Sequence, residues 1–288
     1  FILIMDIKKK YSQKLIKTSY ENFPLWSSLY LKNLMPDLSS IYYFCRKVDD
    51  ISDLNKDSAR KELLNLEKSL NDCFQKKCDE NDEFFNLMQT IIKFDLSIDD
   101  FQSLIKANYQ DLEITRYNSF DDLIEYCKLS ANPVGSLVLK IFGDFNETNL
   151  KLSNYICTGL QLINFIQDIR RDSNLGRIYM PIEDLKKFEI DEKDILENKS
   201  TFKLRELVKM QCDRSYEIIN NGKPLVQLLN GAKKIPISLF IQSGNLVLAK
   251  IKKINYETVL IRPRVNKIEK SMMVTKTLYK YLFYKNFI

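Results

Sequence analysis

The chain has 288 residues, 45% of them hydrophobic, enough for one large core, and only 7 Gly and 7 Pro beside 28% charged residues, which suits long helices better than a turn-rich sheet protein. It contains no histidine, so imidazole base catalysis, His-bearing zinc sites and Ser-His triads are excluded together. A net charge of +6 is too mild to indicate nucleic acid, though it suits an anionic substrate or membrane surface, and the six cysteines form no CxxC pair and are expected to be reduced thiols.

Phe1-Ile2-Leu3-Ile4 is too short for a signal-peptide apolar core, and Met5 is a candidate start. Lys8, Lys9, Lys10, Lys14 and Lys17 make the first helical stretch basic, which reads as a solvated face. Ser19 to Pro24 is irregular and polar-aromatic. Pro36 and Asp37 then open a helix whose apolar residues (Leu38, Ile41, Phe44, Cys45, Val48, Ile51) cover most of its circumference. At about 100° per residue, Tyr42, Arg46, Asp49 and Asp53 fall within roughly 60° of one another. Two carboxylates and a guanidinium on a buried helix need a partner, because buried charge is costly unless paired or bound to metal.

Residues 57 to 74 read as an amphipathic helix, 76 to 83 as a charged loop, and 83 to 94 as another helix. Ser97 caps the next, with Asp100 in capping-box position, and Ser119 opens the one after it. Pro133, in Ser130-Ala131-Asn132-Pro133-Val134-Gly135, marks either a kink that turns backbone carbonyls toward a cavity or a boundary between two helices. From about 153 to 172 runs a helix apolar nearly all round, on which Gln161, Asn164, Asp168 and Asp172 share an arc of roughly 80°. This is the expected partner stripe. Asn174 to Pro181 is a turn carrying Arg177 and Tyr179, and helices resume at 181 to 187 and 200 to 221. Ser243-Gly244 could form a hairpin, but the helical context favours a helix over 235 to 251. The apolar stretches at 155 to 166 and 235 to 249 fall short of the ~18 residues of a spanning helix. No linker or repeat interrupts residues 1 to 288, which read as a single domain.

Two helices presenting oxygen ligands at i, i+4 spacing match a hard divalent cation, Mg²⁺ or Mn²⁺. Taken alone, such a stripe is better explained by a salt-bridged or solvated helix face; together on two apolar helices the two favour metal. Mg²⁺ bound by few protein ligands implies a phosphorylated substrate, with Arg46 as a clamp, and the apolar surroundings imply a greasy remainder. Ionisation of a prenyl diphosphate in a dry aromatic pocket combines these features. No Gly-rich phosphate loop supports nucleotide binding.

The segments FCRKVDDISD and LQLINFIQDIRRDSNLGRIYMP resemble the paired motifs of the squalene/phytoene synthase family, with a resemblance running from about residue 12 to 270. The resemblance implies an all-α isoprenoid-synthase bundle around a central cavity. It implies Asp49, Asp53, Asn164 and Asp168 as Mg²⁺ ligands, with Asp172 one turn further on. It also implies that Phe23, Tyr42, Arg46 and Gln161 contact substrate, while Arg177 and Tyr179 belong to a flap over the diphosphate. ENFP, SANPVG and NFIQD resemble the hydroxysqualene synthase branch, in which presqualene diphosphate rearranges and water quenches the cation without NADPH. Lys128 stands where squalene and dehydrosqualene synthases carry a tyrosine after YC, and Lys128 or Asn132 is the candidate for holding that water. The alternatives are head-to-head condensation of two prenyl diphosphates and a non-catalytic relative acting in binding or assembly. A prenyl diphosphate is the expected partner, in the cytoplasm, with peripheral contact at the inner face of a membrane as an option.

From Arg262 onward seven Lys/Arg and one acid, Glu269, interleave with Tyr279, Tyr281, Phe283, Tyr284 and Phe287. The simpler reading is a last helix packing its aromatics on the bundle with lysines in solvent; the other is contact with an anionic membrane.

Overall fold

A computed structural model of the chain describes residues 31–52 and 55–283, and of Ser52 only the backbone. Phe23, Asp53, the basic stretch around Lys8 to Lys17, ENFP, Tyr284 and Phe287 lie outside them. The described residues form helices and no strand, as the composition implied. In order these are α1 (Met35–Ser52), α2 (Lys56–Phe74), α3 (Phe85–Phe94), α4 (Ile98–Glu113), α5 (Phe120–Ser130), α6 (Asn132–Phe142) and α7 (Glu147–Gln167). There follow α8 (Ile169–Asn174), α9 (Ile182–Lys187), α10 (Glu192–Leu196), α11 (Phe202–Asn221), α12 (Leu225–Leu228), α13 (Lys234–Lys253) and α14 (Lys267–Phe283).

Local signals explain most boundaries. Asn55, Ser119, Asn146 and Thr201 cap their helices through side-chain oxygens that accept backbone N–H donors, satisfying groups every helix start leaves orphaned. Ser119 and Asp122 complete a reciprocal capping box. Asp100 does something else. Its carboxylate accepts from Ser136 Oγ at 3.0 Å and Lys140 Nζ at 2.7 Å, so it ties α4 to α6, while Ser97 caps through the Asp99 backbone N–H. A tertiary cation two helices away outcompetes the local backbone donor.

A core cluster runs from Leu31 to Val274, and α7 lies at its centre, packed against α6, α11 and α13. Gly159 lets α7 and α11 close up: a Cβ there would sit 2.6 Å from Ile219 Cβ and 2.8 Å from its backbone. Gly244 is covered by Ile219, Ile163 and Leu160, so Ser243-Gly244 is a helix contact in α13, as the helical reading expected, and not a turn. At SANPVG the chain changes helices at Ala131, with Pro133 in the first turn of α6, where its missing N–H costs nothing. A second boundary falls at Asp168. The expected helix over 153 to 172 is two, α7 and α8, which share Asp168 as a cap.

Candidate active site

One cavity of about 950 Å³ collects the two stripes. From α1 it is lined by Tyr42, Arg46 and Asp49; from α7 and its boundary with α8 by Gln161, Asn164, Asp168 and Asp172. Arg177 and Tyr179, from the turn after α8, line it as well. The remaining wall is largely apolar, with Leu104, Val138, Ile156, Leu160, Ile237 and Phe240. The cavity thus has a carboxylate-rich end and a greasy end.

The stripes are less buried than expected. Arg46 is 47% exposed and pairs at 2.6 Å with Asp50, one turn along α1, and Asp49 and Asn164 are also exposed. They form the open rim of the cavity, not buried charge awaiting neutralisation. The deeper carboxylates carry the electrostatic load. Burial, and then the neighbouring Asp168, pushes Asp172 up to about 7. Asp168 accepts from two guanidinium nitrogens of Arg262, Nε and Nη2, the latter at 3.0 Å, from 94 residues away. The strap that carries Arg262 is also pinned where Gln167 donates to the Pro263 carbonyl at 2.5 Å and Arg170 to that of Leu260 at 3.3 Å.

Beneath the polar end lies an aromatic box that the sequence reading did not foresee. Tyr126 donates to Asp111 at 2.6 Å and Tyr179 donates to the other oxygen of Asp111 at 3.0 Å. The Tyr179 ring stacks on Phe165 with centroids 4.0 Å apart and on Tyr117 at 5.9 Å. Burial holds Asp111 above the usual carboxylate range, although the two hydroxyls and Arg177 favour its charged form. Tyr179 is therefore packed into the cavity wall. The turn that carries it is stitched down where Ile178 N–H donates to Thr115 and Ile182 N–H to Tyr117. Asp111 lies on α4, where it reads as one acid among several. Nothing local distinguishes it.

Two expected residues do not reach the cavity. Lys128 is on the outer face of α5, 55% exposed, and pairs with Glu125 at 2.5 Å. Half a helical turn separates it from the buried Tyr126-Cys127 side. The Asn132 side-chain amide oxygen Oδ1 accepts from Thr158 Oγ1 at 2.9 Å, tying α6 to α7, and Asn132 is not part of the cavity wall. The wall at this boundary is made by Ser130 and Ala131 instead. Ser130 Oγ is buried, with no hydrogen-bond partner among the described residues.

Among the described residues no group of three or more Asp, Glu, Cys or His is arranged to hold a metal ion by itself. The oxygen donors present (Asp49, Asn164, Asp168, Asp172) nevertheless fit a hard cation that keeps several waters and takes ligands from a substrate. Asp53 lies outside the described residues.

The squalene/phytoene synthase family model matches residues 16–269. The chain is 30% identical over 240 residues to phytoene synthase 2 of Oryza sativa subsp. japonica, which covers 80% of this chain and 60% of that protein. It is 32% identical over 165 residues to the hydroxysqualene synthase of Zymomonas mobilis, covering 56% and 54%. The chain spans about 60% of the length of the phytoene synthase it matches. Among solved structures, squalene synthase HpnC from Alicyclobacillus acidocaldarius superposes with a TM-score of 0.78 at 34% identity, over 86% of this chain and 94% of that one. A ligand-bound dehydrosqualene synthase superposes at 0.81 over 95% of each chain; at 20% identity it speaks to the fold alone.

Proposed function

This chain belongs to the squalene/phytoene synthase family, and on that premise we propose that it converts presqualene diphosphate to hydroxysqualene and releases diphosphate. The observation that carries the reading is the polarity of one cavity, with carboxylates, amides and guanidiniums at one end and apolar side chains at the other. A substrate with a diphosphate head and a hydrocarbon body matches both ends at once.

Asp49, Asn164, Asp168 and Asp172, with Asp53, would hold Mg²⁺ or Mn²⁺, and a cation bound there supplies positive charge to the diphosphate leaving group. Arg46 and Arg177 add guanidinium donors for its oxygens, and Tyr42 and Gln161 complete the polar rim. Leu104, Val138, Ile156, Leu160, Ile237 and Phe240 bind the hydrocarbon and keep bulk water from the carbocation.

In the chemistry proposed, the C–O bond to diphosphate breaks and the electron pair leaves with it. The cyclopropylcarbinyl cation rearranges, one water forms the new C–O bond, and its proton passes to the released diphosphate. No hydride is consumed, so NADPH is not needed. Lys128 and Asn132 lie outside the cavity, and the water is assigned here to Ser130, a residue of the cavity wall whose buried hydroxyl has no partner among the described residues. A hydroxyl that finds no partner in a protein interior is the natural host for a bridging water.

Head-to-head condensation of two prenyl diphosphates is the second reading. It gains from the same correction: because Lys128 faces solvent, the lack of a tyrosine there does not bear on the cavity, whereas Tyr126 does line it. Purified protein with Mg²⁺, given presqualene diphosphate and farnesyl diphosphate in separate reactions, distinguishes the two. Hydroxysqualene from the first substrate and no turnover of the second supports the first reading. Turnover of farnesyl diphosphate alone overturns it in favour of condensation.

A further inference from the structure

The outer face of α14 is apolar. Ile268 (72% exposed), Met272 (67%), Tyr279, Leu282 and Phe283 (70%) all turn their side chains to solvent. At about 100° per residue these five share an arc of roughly 100° along the full length of the helix. The opposite face holds the helix to the bundle: Val274 and Thr277 are buried, Met273, Leu278 and Tyr281 pack on the core, and Gln242 donates to Thr277 at 2.9 Å. The helix is thus anchored on one side and greasy on the other. Of the aromatics expected to pack inward, Tyr281 does, and Tyr279 and Phe283 do not.

The flanks of the apolar arc are basic. Lys276 and Lys280 border it on one side and Lys267 on the other, by the same helical spacing. The one acid of the helix, Glu269, pairs with Lys250 of α13 at 2.8 Å. An aligned apolar arc of this kind, interrupted by Thr275 and rimmed by lysines, marks an interaction surface, since isolated exposed apolar residues are ordinary and aligned ones are not.

We propose that the Ile268–Met272–Tyr279–Leu282–Phe283 face of α14 docks on the surface of an anionic lipid bilayer, with its apolar side chains in the acyl boundary and its lysines at the head groups. Charge selects this occupant. A second copy seated on the same face would bring two lysine-rimmed strips together, whereas anionic head groups neutralise both rims. Arg264, Val265 and Lys270, where the chain enters α14, line the cavity, so the docked helix is joined to the cavity wall. The inference stands on this surface and not on the reaction assigned to the cavity, and its test reads binding, not turnover.

The test is flotation of the full chain with vesicles of phosphatidylcholine, and with vesicles of equal parts phosphatidylcholine and phosphatidylglycerol. Binding to the anionic vesicles, weak binding to the neutral ones and a decline with added salt are expected. The exposed-face variant I268S/M272S/L282S/F283S should lower partitioning about tenfold or more, and K276E/K280E should lower it on anionic vesicles selectively. Circular dichroism should show both variants folded with an unchanged melting temperature, because none of the six side chains is in the core. Wild-type protein left unbound by anionic vesicles overturns the proposal. So does a variant that binds as well as wild type, or a wild-type dimer in sedimentation equilibrium that the same four substitutions dissolve without any vesicle binding.

Discussion

Ser130→Ala separates a functional hydroxyl from an idle one. The substitution removes one buried oxygen, from a residue of the cavity wall, that has no partner among the described residues. If that oxygen holds the quenching water, its loss removes one hydrogen bond to the nucleophile, a net of about 0.5–1.5 kcal/mol. With about 1.4 kcal/mol per factor of ten, capture by water then falls roughly two- to tenfold against proton loss from the same cation. The alcohol declines and an alkene of the same carbon skeleton rises. If instead the hydroxyl is dry, it carries an uncompensated desolvation cost of about 1–3 kcal/mol, and alanine stabilises the fold. At an unfolding entropy of about 2.1 cal/mol/K per residue, a chain of 288 residues gains under ~2 °C per kcal/mol, a measurable rise in Tm. The assay is gas chromatography of the products from presqualene diphosphate with Mg²⁺, paired with a thermal melt of the same preparation. The expected result is a shifted alcohol-to-alkene ratio at a Tm that is not raised. An unchanged ratio with a raised Tm refutes the role given to Ser130.

Lys128→Ala should leave product identity unchanged and stability within about 0.5 kcal/mol, since Lys128 is exposed and its pair with Glu125 is screened; product analysis and a denaturant melt check this. Gly159→Ala should destabilise by about 1–3 kcal/mol or more, because a Cβ meets the backbone of Ile219 and α7 must move from α11; the readout is the urea midpoint. Arg262→Gln should cost at most about 1 kcal/mol, the pair being partly exposed. It should also shift the Mg²⁺-induced rise in Tm to lower Mg²⁺, because the guanidinium and the proposed cation would compete for Asp168, and an unshifted midpoint would argue against that competition. Asp111 has a folded-state pKa raised above its unfolded value, so its contribution to stability is present at acid pH and lost as pH rises through the raised value. Tyr126, Tyr179, Arg177 and Asp172 face it, and Asp172 titrates upward in the same sense. Asp111→Asn should therefore reduce, without abolishing, the fall in metal-free stability between acid and neutral pH, as followed by melts across that range.

The sequence by itself determined the helices and the two stripes. Each is a property of a single segment: i, i+3 and i, i+4 spacing puts Tyr42, Arg46 and Asp49 on one face of α1, and Gln161 and Asn164 on one face of α7 with Asp168 at its C-terminal cap, whatever surrounds them. Apolar periodicity on the rest of each helix then requires burial, and a bundle around a cavity follows. Tertiary structure decided the rest, because helical periodicity states which residues share a face and not what covers it. Lys128 and Ser130 are two residues apart, and only the packing of α5 against α4 and α7 sends one to solvent and the other to the cavity. Asp111 became part of the site through hydroxyls 15 and 68 residues away, and Arg262 through a strap 94 residues beyond its carboxylate. The outward face of α14 is the same kind of fact. Its sequence carries two apolar faces, and the bundle covers one.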